Sequence, residues 1–400
     1  MTIIDKLMDV STIYTQVSMV FPHFDRWGGS WEETYRQFLA RDLETKTDCE
    51  HGLLMAELVN TLGDGHTDVS LSKGILDEVG YFPFPLRYAQ GRYFWEGREV
   101  IAIDGIPLAE LVQRAGRYAY CVEGFCPRLG YFLPFLLAGT QHVLQNSQGD
   151  IPFSMLSQRP AEKSGEGVTF ANHGDVLQIT IGDFLRPSAP EIRQTLEAAN
   201  PGKVILDIRG NIGGMTQNAA DVAQLFLPGT FSGSRKWTRR MTGVEYASAS
   251  QILRMGPKAL ESLAAPPEEI VQAKAMGNLC AYQEYTDSWG RKGTEPVFSG
   301  PLVLLISREM VSAAEDFVSF FRSNHRATLI GEPTCGTSGT PVLRTLSCGT
   351  LRVCSVGYRL LDGTWWLGRG IHPDISAAPS PEDMSQGVDR VLKTALTFLS

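Results

Sequence analysis

The sequence predicts an α/β fold, with a layered core of buried strands and helices behind a helical N-terminal region and a small β-rich segment. Three observations carry that prediction. From about residue 168, strand-like and helix-like stretches alternate. Val204–Ile208 and Leu302–Ile306 are almost wholly apolar, as strands covered on both faces are. Residues 1–72 instead space their apolar side chains with helical periodicity.

In residues 1–72 the apolar sets are Leu7, Ile13, Tyr14, Val17, then Trp31, Tyr35, Phe38, Leu39, then Leu53, Leu54, Leu58, Leu62. They predict three helices. Gly28-Gly29 separates the first two and Gly63-Asp64-Gly65 ends the third. Residues 73–165 hold short apolar runs punctuated by Pro83, Pro85, Gly91 and Gly97. There Glu99–Ile103 runs as a strand into the Asp104-Gly105 turn, and a helix follows over Leu108–Ala115. The polar stretch 158–167 reads as a linker.

Residues 166–400 form the expected core. Val176–Ile181 is a strand, Ala189–Ala199 a helix and Val204–Ile208 a strand. The Gly210–Gly214 turn then opens a helix through Phe226. Leu302–Ile306 is followed by a helix over Ser312–Arg322 and a strand at Thr328–Ile330. Residues at about 245–298 interrupt this alternation and are expected to be a helical insertion.

Composition narrows the function classes. Of the 400 residues 43% are hydrophobic and 20% charged, a globular balance. The formal net charge is −8 and there is no long basic run, so nucleic acid is not the expected partner. The apolar stretches around Tyr131–Ala138 and Leu302–Ile306 are too short to span a bilayer. Charged residues Asp5, Lys6 and Asp9 interrupt any leader-like apolar run, so the expected compartment is the cytoplasm. The seven cysteines form no CxxC pair and the seven histidines no HExxH, so neither a metal nor an organic cofactor is expected.

Three segments can carry chemistry. Ser312, in Val311-Ser-Ala-Ala-Glu315, starts a helix just after a buried strand, where free amides favour negative charge. That suits a nucleophile whose reaction develops an oxyanion. The same S-x-x-E also reads as a capping box, with Ser312 as N-cap and Glu315 at the third helical position. Asp207-Ile-Arg-Gly-Asn-Ile-Gly-Gly214 is a glycine turn that can present amides to an anion, or simply a tight strand-to-helix turn. His66, in Leu62-Gly-Asp-Gly-His-Thr67, is a loop histidine and becomes a candidate general base if it meets a nucleophile.

In order and in sequence, LGDGHT, VILDIRGNIGG, SREMVSAAEDF, LIGEPTCGTSG and DGTWWLGRGIHPDI resemble the tail-specific, or C-terminal processing, serine peptidases and their tricorn-like branch. The resemblance implies a crotonase-like (ββα) catalytic core. GREVIAIDGIPLAELV resembles the end of a PDZ-like domain, which implies a PDZ-like or degenerate insert over 73–165. It implies Ser312 as nucleophile, with the amides of Ala313 and of Gly213 or Gly214 as oxyanion hole. One branch of the family has a Lys base at the position of Thr337, but no Lys lies between Ser307 and Lys393. The tricorn-like branch has a His base, and His66 fits it. Leu367 stands where the acid that orients the His is expected, so Asp362 and Glu332 are candidate substitutes. The expected activity is peptide-bond hydrolysis through an acyl-enzyme, on a peptide or small acyl substrate. Two alternatives are a dedicated small-peptide or ester hydrolase in a biosynthetic pathway and a non-catalytic relative that holds an apolar ligand. Oligomeric state has no signature in the sequence.

Overall fold

The computed structural model describes residues 1–160, 167–240, 261–262 and 281–400. Helices α1 (Ile3–Val20), α2 (Phe24–Trp27), α3 (Trp31–Asp42) and α4 (Asp48–Asn60) open the chain. The three long ones begin at Thr2, Ser30 and Thr47, whose hydroxyls accept the backbone N–H three residues on. Strand β1 (Asp68–Leu71) then pairs antiparallel with Gly349–Cys354, near the other end of the chain.

Residues 73–153 hold α5 (Lys73–Val79), β2 (Arg87–Ala89), β3 (Arg92–Trp95), β4 (Arg98–Ile103) and β5 (Ile106–Pro107). Next come α6 (Leu108–Ala115), α7 (Leu129–Leu136), β6 (His142–Asn146) and β7 (Gly149–Phe153). The strands form an antiparallel sheet in the order β2-β3-β4-β6-β7, with β5 on β4. One apolar cluster joins this segment to the N-terminal helices and to the Gly349–Cys354 strand; Val10, Leu58, Phe132, Leu144 and Leu351 all belong to it.

The second half is a six-stranded sheet. Its elements are β8 (Val168–His173), β9 (Val176–Ile181), α8 (Ala189–Ala199), β10 (Lys203–Asp207) and α9 (Thr216–Ala223), then β15 (Leu302–Ile306), α10 (Ala313–Ser323), β16 (Thr328–Gly331) and β20 (Ile375–Ser376). The order is β20-β16-β15-β10-β9-β8, parallel except for the β8–β9 hairpin. Alternate side chains divide between two cores, as strand geometry requires. Val204, Leu206, Leu304 and Ile306 pack with α8, α9 and α10. Ile205, Val303 and Leu305 face the C-terminal helix α12 (Arg390–Leu399), which follows the short α11 (Pro381–Gln386).

Between these elements lie β11 (Thr230–Phe231), β12 (Ser234–Arg240), β13 (Ala281–Thr286) and β14 (Trp289–Gly290), and after β16 come β17 (Pro341–Leu346), β18 (Gly349–Cys354) and β19 (Val356–Leu360). The expected helical insertion at about 245–298 falls largely outside the described residues. Its described end is not helical: β13 pairs antiparallel with β12, which in turn pairs with β19. Tyr282, Tyr285 and Thr286 give this run an aromatic, β-branched bias that favours a strand once a partner edge exists.

Candidate active site

β10, β15 and β16 are parallel neighbours, so their C-terminal ends open on one edge of the sheet. In open α/β sheets that edge is where ligands meet the loops. The Gly210–Gly214 turn leaves β10, the segment to Ser312 leaves β15, and Cys335–Gly339 lies beyond β16. The His66 loop arrives from the other half, carried by the β1–β18 pairing.

Ser312 immediately precedes α10 and is half-buried, with φ 60° and ψ −131°. A positive φ is strained for a residue with a β-carbon and persists only where surrounding contacts hold it. The capping-box reading fails here. The Ser312 side chain makes no cap hydrogen bond, and Glu315 does not reach back to the N-cap. Glu315 instead accepts from the Thr334 hydroxyl, from Gly336 N–H at 2.7 Å and from Thr337 N–H at 2.7 Å. Burial pushes its carboxyl up to about 8, those three donors opposing the shift and Asp316 adding to it. Asp316 accepts from Ser338 Oγ at 3.1 Å and from Thr216 Oγ1 at 3.0 Å. Two buried acids at the start of α10 thus fasten the 334–338 loop beside the serine.

Gly213, at φ 95°, packs against the serine turn: a β-carbon there would lie 2.8 Å from Ser312 Cβ and 2.9 Å from Ala313 N. Gly213 N–H donates to Asn211 Oδ1 at 2.8 Å, and Asn211 Nδ2 donates to the Ile181 carbonyl at 3.1 Å. Gly214, at φ 142°, packs on Phe184, where a β-carbon would come within 2.5 Å of the Phe184 carbonyl carbon.

His66 is 6% exposed, and its Nδ1 lies 2.7 Å from Thr337 Oγ1. Thr337 in turn accepts Ser312 N–H on its carbonyl at 2.9 Å. No direct Ser312–His66 hydrogen bond occurs among the described residues; Thr337 joins them. Burial, aided by the Arg352 charge and opposed by Asp68, pulls the imidazole down to about 4.

Neither acid expected to orient the imidazole reaches it. Asp362 is exposed and accepts Thr364 N–H at 2.8 Å. Glu332 is set among Arg308 and Glu309, and burial raises its carboxyl. His372, in the closing motif, is exposed. Trp365 Nε1 donates to the Leu367 carbonyl at 2.8 Å. Sequence reasoning missed three contributors: Thr337 as partner of His66, Asn211 as holder of the Gly213 amide, and Glu315 as anchor of the Thr337 loop. The Thr337 position is flagged by the family pattern, but nothing local in the sequence announces its bond to a histidine 271 positions away.

Among the described residues, one group outside the site brings metal-ligating atoms together. Asp9, His51 and Cys348 place one donor each within 4.8 Å of one another. Both His51 nitrogens are already engaged, Nδ1 by Asp42 at 2.6 Å and Nε2 by Asp9 at 3.2 Å. Asp9 also accepts Ser347 N–H at 2.7 Å and Cys348 N–H at 3.0 Å. The cluster is a satisfied polar node that ties α1, α3 and α4 to the β17–β18 turn.

Comparison with known proteins agrees with this architecture. A 215-residue stretch, 53% of the chain, is 24% identical to a "Probable CtpA-like serine protease" of Staphylococcus epidermidis, and the match spans 35% of that relative. The structure of mature CPAF complexed with lactacystin superposes with a TM-score of 0.71 at 13% identity, covering 98% of each chain. The photosystem II D1 C-terminal processing protease superposes with a TM-score of 0.54 at 15% identity, covering 98% of this chain and all of that one. The model of Peptidase family S41 matches residues 168–377, more than half of the chain and all three loops at the strand ends, and the chain belongs to that family.

Proposed function

We propose that the chain is a serine peptidase that cleaves peptide bonds through an acyl-enzyme, with Ser312 as nucleophile and His66 as general base. Family membership supports the reaction class. The observation that carries the assignment to Ser312 is its backbone: a serine at φ 60°, outside any cap, against Gly213 and at the start of a buried helix. A residue that merely capped α10 would use its hydroxyl on the helix amides and would have no reason to be strained.

In this reading His66 Nε2 takes the Ser312 proton as Oγ attacks the substrate carbonyl. The oxyanion is held by Ala313 N–H and by the glycine turn. Of the two glycines, Gly214 is the better donor, because Asn211 already occupies the Gly213 amide. The protonated imidazole gives its proton to the leaving amine, and water, activated by the same His66, releases the acid. We read the six-stranded half as a crotonase-like core, and residues 73–165 as a PDZ-like or degenerate insert whose described part shares its apolar core with the N-terminal helices. Among the described residues no helix is long and apolar enough to cross a membrane. The substrate is proposed as a peptide. The test is a fluorophosphonate probe: it labels Ser312 in the native enzyme and fails to label a folded Ser312→Ala variant.

A further inference from the structure

We propose that the Thr337 hydroxyl is the positioning group for His66, standing where other Ser–His sites place a carboxylate. This rests on the reading of His66 as the base. Only the tautomer with hydrogen on Nδ1 leaves the Nε2 lone pair free to accept the serine proton. The atom facing Nδ1 at 2.7 Å is Thr337 Oγ1, and neither Asp362 nor Glu332 approaches it. In the tautomer that the base role needs, Nδ1–H donates to the threonine hydroxyl.

Thr337 is well fixed for the task. It is 3% exposed, its N–H is held by Glu315, and its carbonyl holds Ser312 N–H. Gly65 makes room for it, since a β-carbon at that position would lie 2.7 Å from Thr337 Oγ1. A single residue thus sets the base through its side chain and the nucleophile through its backbone.

A hydroxyl can hold the imidazole in place by accepting from Nδ1–H, but unlike a carboxylate it can also donate, and it carries no charge to compensate an imidazolium. The other groups around His66 do not supply that compensation. Arg352 opposes a positive imidazole, and Asp68, which favours it, is itself paired with Arg352 and Arg128. Asp64 binds the backbone N–H of His66 and the Thr67 hydroxyl, and Glu315 lies behind Thr337. The site therefore keeps its base neutral and ready in acid while providing little help to the charged form.

The test compares Thr337→Val, Thr337→Ser and Thr337→Asp in the full chain, reading the rate and pH profile of fluorophosphonate labelling at Ser312. We expect Thr337→Val to lower the maximal labelling rate about tenfold or more, the worth of one hydrogen bond, at unchanged half-saturating probe concentration. Thr337→Ser should restore most of that rate. Thr337→Asp should move the acid limb upward by about one pH unit or more, because a carboxylate beside an imidazole favours its charged form. A folded Thr337→Val with native rate overturns the proposal. So does a Thr337→Ser as slow as Thr337→Val, and so does an unmoved limb in Thr337→Asp. His66→Gln separates the two levels: native labelling in that variant removes His66 as the base, whereas lost labelling there with no effect at Thr337 removes the positioning role alone.

Discussion

Gly213 lies so close to Ser312 that a β-carbon on the glycine would sit 2.8 Å from the serine's own β-carbon. The same imaginary atom falls 2.9 Å from Ala313 N and 2.9 Å from the Val311 carbonyl oxygen. Backbone cannot step aside as a flexible side-chain tip does, and Gly213 also needs φ 95°. Gly213→Ala should therefore separate the glycine turn from the serine turn. The expected loss is roughly 10²–10³-fold in kcat, the size seen when an oxyanion donor is removed. Hydrolysis rate and thermal melting on one sample check this; a folded variant with native kcat refutes the assigned role of the turn.

Glu315 is completely buried and accepts three hydrogen bonds from the 334–337 loop. Glu315→Gln keeps the shape, but both oxygens of the native acid, protonated or not, can accept from the loop, whereas an amide nitrogen cannot, so one loop N–H is left facing a donor. The cost should be about 1–3 kcal/mol, measured by denaturant unfolding, with a fall in activity because Thr337 shifts. Its carboxyl, raised to about 8, also couples stability to pH. The folded state keeps a proton that the unfolded chain loses near pH ~4.5, so this contribution is full below that pH and disappears as pH rises towards 8. Glu315→Gln should flatten that part of the stability curve.

His66, pulled down to about 4, resists protonation in the folded chain. An unperturbed imidazole would titrate near pH ~6.5. Activity should therefore persist as pH falls through 6.5 and disappear only near about 4. The same shift makes the contribution of His66 to stability complete above ~6.5 and lost as pH falls through its folded value. The labelling rate of Ser312 against pH checks the first statement, and a limb near 6.5 contradicts it.

Asp9, His51 and Asp42 form a buried carboxylate–imidazole–carboxylate node that includes none of the proposed catalytic residues. Burial pulls His51 down, but the bonds to Asp42 and Asp9 outweigh it and the imidazolium is favoured. Removing it in His51→Ala leaves two acids unpaired, which should destabilise the protein by roughly 3–5 kcal/mol. The stability from this node is present below ~6.5 and lost as pH rises through the raised value. Thermal melting at two pH values checks both the size and the sign.

Local pattern sufficed where one element decides its own conformation. The β9, α8 and β15 ranges follow from short, mainly apolar runs and helical spacing alone, because these elements are buried in a regular layered sheet. It failed at 281–286, whose strand state depends on pairing with β12, a partner some 45 residues away. It also misjudged Glu315: S-x-x-E has the same spelling whether the acid turns back to cap its helix or forward to hold a distant loop. Thr337 was legible only as a position, since its partner His66 comes from the other half of the chain through the β1–β18 pairing.

The central claim, that the Ser312 hydroxyl is the attacking group, is tested most directly by Ser312→Ala. Peptide hydrolysis and fluorophosphonate labelling should both vanish in a variant whose melting temperature stays close to that of the native chain, since no cap bond is lost and alanine keeps the same β-carbon at the same backbone angles. A well-folded Ser312→Ala that still hydrolyses peptides at the native rate would contradict the claim.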